Sequence, residues 1–586
     1  MELKDLRRLF AKWFLVILLL FVAPSSVLAM PTIMPLDQLQ KGMTGRAYTV
    51  VDSSGKIEQF DVKIIGVVGN TKGSSRLIMA QASGEVVERA GGILQGMSGS
   101  PIYIDGKLVG ALAATLKEMS PYTFFITPIE NMLELWKLPD PMAQLNNRKI
   151  IKKEEPAKET PESNDADKVT QLTTMYSSGF DSEGLKFLAQ ELGLNNLQTT
   201  AFTKEQGIKL DASLEPGSPV GVAIIYGDFT LGATGTVTAV EGKRILAMGH
   251  SFTHVGNVNY FMTDSSVVGT VSGVANGSKI SNMGYIIGRV NQDREAGITG
   301  IVGEFPAVVP ITVNVKDTML GKEETFNATI AYNESLVPKL GAVIAYASLV
   351  KMSDSSTETT AELEFTIKTN AVSGGKLTRK NMYYNPSDVG QVAILELMQA
   401  LNILCSNTAE EVDIDSIDVN ISFASERRTA SIVSITPSKK SVKPGETVNL
   451  KIELQPYRKP KETVILPYTV PYTARPGNLT LEIHSGALVP VGQTSSGVIT
   501  ADSNKSFGDK IKDFLKVNRN NQLVVEVASS GEIKTAKQLR REIAQLKRIQ
   551  AQLKKEGKTL RKADNTVDTD YIVDNVMRTA LVVEKI

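Results

Sequence analysis

Gly92-Ile93-Leu94-Gln95-Gly96-Met97-Ser98-Gly99-Ser100-Pro101 leads directly into Ile102-Tyr103-Ile104 and, across Asp105-Gly106-Lys107, into Leu108-Val109-Gly110-Ala111-Leu112. Asp-Gly between two apolar runs is a strong hairpin signal, because a type I′ turn needs positive φ at both central residues. The glycines upstream permit a tight turn in which backbone N–H groups face an incoming group. Serine chemistry asks for that arrangement, with Oγ presented at the turn and fixed donors where negative charge develops. Ser98 is thus a candidate nucleophile. A purely structural Gly-Ser turn accounts for the same residues equally well.

Outward from this turn, residues 31–137 read as β, with Ile57, Phe60, Val62 and Ile64, then Leu77–Met79, between Gly-rich turns. Residues 149–170 are charged, contain proline and are poor in large apolar side chains, which marks a linker. Asp181 then caps a short helix with Leu185, Leu188 and Leu192 on one face. Residues 214–315 return to β, with strands at Val220–Ile225, Gly235–Val240 and Ile245–Met248. Residues 320–430 mix strand (Glu362–Ile367) with helix (Leu340–Lys351 and Val389–Leu404). Val448, Leu450, Ile452 and Leu454 alternate strictly after a Pro444-Gly445 turn, as in a half-buried strand of a sandwich. A tail helix is expected at 533–556, with Leu539, Ile543, Leu546, Ile549 and Leu553 on one face and Lys and Arg on the other. Such a helix docks on its own protein, pairs as a coiled coil, or lies on an anionic membrane surface.

The chain of 586 residues is too long for one core, so about three or four folding units are expected. With 64 Lys plus Arg against 63 Asp plus Glu, the net charge is +1, and no nucleic-acid partner is implied. Lys4, Arg7, Arg8 and Lys12, the apolar run Trp13–Val22, and Val27 and Ala29 form an export signal at 1–29. An uncleaved anchor is the rival reading. The expected location is secreted or extracytoplasmic, in the periplasm or cell envelope. Cys405, the single cysteine, sits in an apolar helical stretch and reads as buried and inert. One Cys and three His are too few for most structural zinc sites, and neither metal nor cofactor is expected.

A base for Ser98 comes from a short list. His484 reads as a strand surface residue, and nothing places His254. His250 follows a hairpin strand and Gly249, where a side chain can project into a cleft.

Gly96-Met97-Ser98-Gly99-Ser100-Pro101 resembles the Gly-x-Ser-Gly-x-Pro loop of trypsin-like peptidases, in which the N–H groups of Gly96 and Ser98 would form the oxyanion hole. Residues 38–137 and 214–315 together resemble the SpoIVB peptidase family, serine peptidases of spore-forming bacteria and relatives. The matching pieces are Gly91–Ile102 with Gly106–Ala111, Gly235–Thr238 through Ala247–His250, and Gly288–Asn291 through Gly297–Gly300. The resemblance implies a trypsin-like double β-barrel with Ser98 as nucleophile and His250 as base. It also implies a permuted order, since the family's Gly-His half precedes its serine half. The family's acid lies about fifteen residues before the serine, which here is Ser83, so the usual orienting carboxylate is missing, and a Ser–His dyad or no activity at all stays open. Asp293, Asp264 and Glu85 are the candidates, and Asp293 has a competing reading as a surface partner of Arg294 or Lys279.

The expected units are a signal peptide (1–29), a serine half (30–140), a charged linker (141–175), a histidine half (176–318), a mixed α/β region (319–430), an Ig-like β-sandwich (431–500) and a C-terminal helical region (501–586). Two function classes follow: a serine endopeptidase acting on an extracytoplasmic protein, or a peptidase-fold scaffold that binds envelope protein without turnover. Oligomeric state is left open.

Overall fold

Phe60, Val62 and Ile64 point inward while Gln59, Asp61 and Lys63 point to water, and this period-two pattern builds the first of two barrels. The computed structural model describes residues 32–141, 169–486 and 505–585, apart from 70–75, 117–119, 172–174, 195–196, 200–205, 274–276, 354–356 and most of 529–564. Strands β1 (Thr44–Thr49), β2 (Glu58–Val68), β3 (Leu77–Ser83), β4 (Pro101–Ile104), β5 (Lys107–Leu116) and β6 (Thr123–Pro128) pair in the order β4-β1-β2-β3-β6-β5. Pairing of β5 with β4 closes the circuit. That hairpin turns on Asp105 and Gly106, both at positive φ (+49° and +74°), as the Asp-Gly signal requires. Met97, Ile102, Leu112, Phe124 and Ile126 join the β2 residues in its core.

The chain then passes from one barrel to the other. β7 (Val169–Gln171) adds to β5, and β8 (Met175–Ser178) adds to the second barrel beside β9 (Leu197–Thr199). Between β8 and β9 lies the helix Ser182–Leu192, capped by Asp181, whose carboxylate accepts the Gly184 N–H at 2.7 Å. The second barrel comprises β10 (Pro219–Gly227), β11 (Thr230–Glu241), β12 (Arg244–Ala247), β13 (Gly256–Val271), β14 (Ser278–Arg294) and β15 (Gly297–Val302). Pairings run β10-β13-β14-β15-β12-β11, and β11 returns to β10. The fold is therefore mainly β with a double barrel of trypsin-like kind. The two barrels pack through Leu108, Ala111, Ile129 and Met132 on one side and Ala239, Leu246 and Ala296 on the other. Of the expected linker, 142–168 lies outside the described residues, as does the expected signal peptide.

The expected boundary at 318/319 does not interrupt the sheet. β16 (Val308–Asp317), β17 (Lys322–Ala331), β18 (Thr359–Thr369), β19 (Lys376–Asn385) and β20 (Ile414–Ala424) extend the second barrel's sheet through β17 on β10. The helix Val337–Met352 is apolar all round and packs into this sheet's core, as such a helix must. Cys405 ends the helix Leu395–Cys405, and burial pushes its thiol up to about 12.

A sandwich follows. One sheet holds β21 (Thr429–Pro437), β23 (Thr447–Pro456), β24 (Glu462–Thr469) and β28 (Ile572–Val573). The other holds β22 (Ser441–Val442), β25 (Gly477–Ser485), β26 (Gln522–Val527), β27 (Thr566–Asp568) and β29 (Met577–Val583). The expected C-terminal helical region 501–586 also supplies strands to the sandwich. Among its described residues Phe507–Lys516 forms a helix, Ala544, Lys547, Arg548, Gln550, Ala551, Lys554 and Lys555 are helical, and β26 to β29 complete the sandwich because Leu523, Val525, Val573 and Leu581 bury against Leu450 and Ile483. The apolar stripe Leu539 to Leu553 lies outside the described residues.

Candidate active site

The Ser98 turn begins where the helix Glu85–Ala90 ends on Gly91, in the left-handed region at φ +84°. Its shape is set by close approach to the second barrel. A Cβ on Gly99 would lie 1.9 Å from the Thr236 carbonyl oxygen and 2.5 Å from the Met248 nitrogen, so only glycine fits. Thr236 N–H donates to Ser98 O (2.8 Å), Thr238 Oγ1 donates to Gly99 O (2.7 Å), and Gly99 N–H donates to Leu112 O (2.7 Å).

These bonds orient the expected oxyanion donors. In a trans peptide the N–H points opposite to the C=O. Gln95 O is held by Lys279 N–H (2.8 Å), so Gly96 N–H faces away from β14. Met97 O is held by Ser100 N–H (3.0 Å) and Ser100 Oγ (2.6 Å), so Ser98 N–H faces away from Ser100. Among the described residues neither Gly96 N–H nor Ser98 N–H meets an acceptor.

His250 is set by a second tight turn, with Met248 at φ +66° and Gly249 at φ +70°. Positive φ at a buried methionine is strain that the surrounding structure holds in place. A Cβ on Gly249 would sit 3.1 Å from Leu112 O, the same carbonyl that Gly99 N–H binds. The turns carrying Ser98 and His250 therefore meet on one residue of β5. His250 is 3% exposed, and Nδ1 lies 2.8 Å from Ser251 O. A carbonyl only accepts, so Nδ1 carries the proton and the lone pair of neutral imidazole is on Nε2, the form a general base needs. Burial lowers the His250 pKa below the ordinary imidazole value, against the Ser251 bond and the Asp293 charge.

Asp293 is fully buried. Its carboxylate accepts N–H groups from Phe252 (2.6 Å), Thr253 (2.6 Å) and His254 (3.0 Å) and the Thr253 hydroxyl (2.6 Å). It thus staples the loop that follows His250. The surface-pair reading of Asp293 is corrected: Arg294 binds Gln292 and Asn257, and Lys279 is itself buried. Glu85 is exposed at a helix start, and Asp264 lies 3.9 Å from Lys209 Nζ on the far part of β13. His254 is exposed. His484, expected at a strand surface, is buried in β25 at 3% exposure with Nδ1 on Ser485 O.

The sequence reading gave Lys279 and Thr236 no role at the Ser98 turn. Lys279 is fully buried in β14, and its Nζ lies 3.2 Å from Thr236 Oγ1 and 3.5 Å from Thr49 Oγ1. Burial alone pulls its amine down to about 7. Its only sequence mark is its phase, shared with the inward Ser281 and Met283. Thr236 donates its hydroxyl to Gly96 O at 3.2 Å.

The Gly288–Asn291 motif serves the join between barrels. Arg289 binds Asp140 (2.5 and 3.2 Å) and Glu304, Asn291 binds Asp140 (2.9 Å), and the Gln292 amide donates to Pro139 O.

The family model described as SpoIVB peptidase S55 matches residues 27–133. No curated protein and no solved structure gave a match. The matched span holds the first barrel and the turn bearing Ser98, and ends before the strands that carry His250. Over residues 27–133 the chain is thus similar to the serine peptidases of the SpoIVB S55 family.

Proposed function

We propose that the protein is an exported serine endopeptidase acting on an extracytoplasmic protein, with Ser98 as nucleophile and His250 as base. The observation that carries this reading is the meeting of two strained glycine turns on Leu112, one with outward N–H donors and the other with a proton-accepting imidazole. In the reaction, Nε2 of His250 takes the Ser98 Oγ proton as Oγ attacks the scissile carbonyl. The oxyanion forms against the N–H groups of Gly96 and Ser98. Collapse breaks the C–N bond, the imidazolium returns its proton to the leaving amine, and water repeats the sequence on the acyl-enzyme. Asp293 holds the loop after His250 and places a negative charge where it favours the imidazolium.

A fluorophosphonate probe on the purified protein tests this. Ser98 should be labelled, and Ser98→Ala should lose both labelling and proteolysis by about a thousandfold or more with the fold intact. The inactive-scaffold reading draws on burial, since Ser98 is 1% and His250 3% exposed. A folded wild-type protein that the probe never labels would favour it. Export is tested separately by N-terminal sequencing, with the mature chain expected to begin near Met30.

A further inference from the structure

A buried ammonium without a counter-ion is costly, and a site that needed only volume would hold Met or Leu. Lys279 is fully buried, and among the described residues no carboxylate pairs with its Nζ. What Nζ meets is hydroxyl. Thr236 has one hydroxyl proton and gives it to Gly96 O, so toward Nζ it accepts. The result is a relay from Lys279 Nζ–H to Thr236 Oγ1 and from Thr236 O–H to the Gly96 carbonyl. The lysine stem lies along the same residue: Cβ and Cε sit 3.3 and 3.4 Å from where a Cβ on Gly96 would be. The lysine main chain also donates to Gln95 O, and Gln95 N–H donates to Gly277 O at 3.0 Å.

Both peptide planes that flank Gly96 are thereby fixed by one residue of the other barrel. The plane before it is held by the Lys279 N–H and the plane after it by the Lys279 amine through Thr236. The plane before it carries the Gly96 donor itself; the plane after it carries the Met97 N–H, which donates to Leu94 O (3.1 Å), and it links the Gly96 donor to the peptide that carries the Ser98 donor, so its rotation would turn the two donors relative to one another.

We propose that Lys279 is a positioning residue that sets the oxyanion hole of Ser98 by acting through Thr236. The proposal rests on the peptidase reading for its kinetic test and stands apart from it in a second measurement. Lys279→Met keeps the stem and the main-chain bond and removes the relay. Thr236→Val removes the hydroxyl with its shape kept, and Thr236→Ser restores it. With a fluorophosphonate probe, the maximal phosphonylation rate should fall about tenfold to a hundredfold in Lys279→Met and Thr236→Val. The probe's half-saturating concentration should not change. Thr236→Ser should stay within about twofold of wild type, and the Lys279→Met/Thr236→Val double variant should be no slower than the worse single, because both break one relay.

Amide hydrogen exchange at Met97, whose N–H lies in the relay-held plane and donates to Leu94 O, is the second measurement. It should quicken at least about tenfold in Lys279→Met and Thr236→Val, but not in Thr236→Ser, with the rest of the barrel unchanged. If wild type is never labelled, the peptidase reading has failed and exchange alone decides. Unchanged exchange in both relay-breaking variants overturns the proposal, whatever the probe does.

Discussion

Gly99 sits at φ +93° with the Thr236 carbonyl where a Cβ would go, so it meets two penalties at once. Gly99→Ala should cost at least about 2 kcal/mol and part the Ser98 turn from the second barrel. Urea unfolding followed by probe labelling reads both effects; wild-type stability and labelling would show that the turn is not held this way. His250 gives a pH expectation with a definite sign. Its folded pKa lies below the unfolded one, so between the two the unfolded chain binds more protons and stability rises with pH. Its contribution is complete above about pH 6.5 and is lost as pH falls through the folded value. The base must be neutral to work, so the acid limb of Ser98 labelling should fall below pH 6.5. A limb midpoint at or above that value would contradict the burial argument.

The loop 252–254 hangs on one carboxylate. Asp293→Asn keeps the size but leaves the loop's N–H donors facing an amide, and should destabilise by at least about 2 kcal/mol. Asp293 also raises the His250 pKa, so its loss should move the acid limb of labelling to still lower pH. An unmoved limb would separate Asp293 from the imidazole. At this scale the sequence was legible where one strand decides its own pattern. The Asp105-Gly106 hairpin, the Asp181 cap and the β2 alternation are all local, and all appear. What was not legible depends on a partner distant in sequence. Nothing near Lys279 says that Gln95 will bond to it, and nothing near Asp293 says that three N–H groups some forty residues upstream will converge on it. His484 misled for the same reason, since its strand lies between β26 and β29, both brought to it from distant residues. Of the candidate site, the Ser98 turn and the His250 turn could be read from their glycines; the relay behind Gly96 could not.

Between the barrels, the Arg289 side chain is 3% exposed and shared by Asp140 and Glu304. Removing one partner of a buried pair strands the other, so Arg289→Ala should cost about 3–5 kcal/mol. The loss should show as earlier thermal separation of the barrels and weaker Ser98 labelling, while the β-sandwich melts unchanged. Coincident loss of all units would mean that the molecule unfolds as one. The sandwich has a timetable of its own. β21 to β25 end at Ser485, yet β25 pairs with β29, and β21 with β28, from 566–583. As the chain emerges from the ribosome, both barrels can close while the sandwich still waits for its last strands. During that interval β25 presents an open edge to chaperones, to proteases and to other nascent copies of itself. A break anywhere between 486 and 565 would therefore leave the peptidase-like part built and the sandwich unfinished.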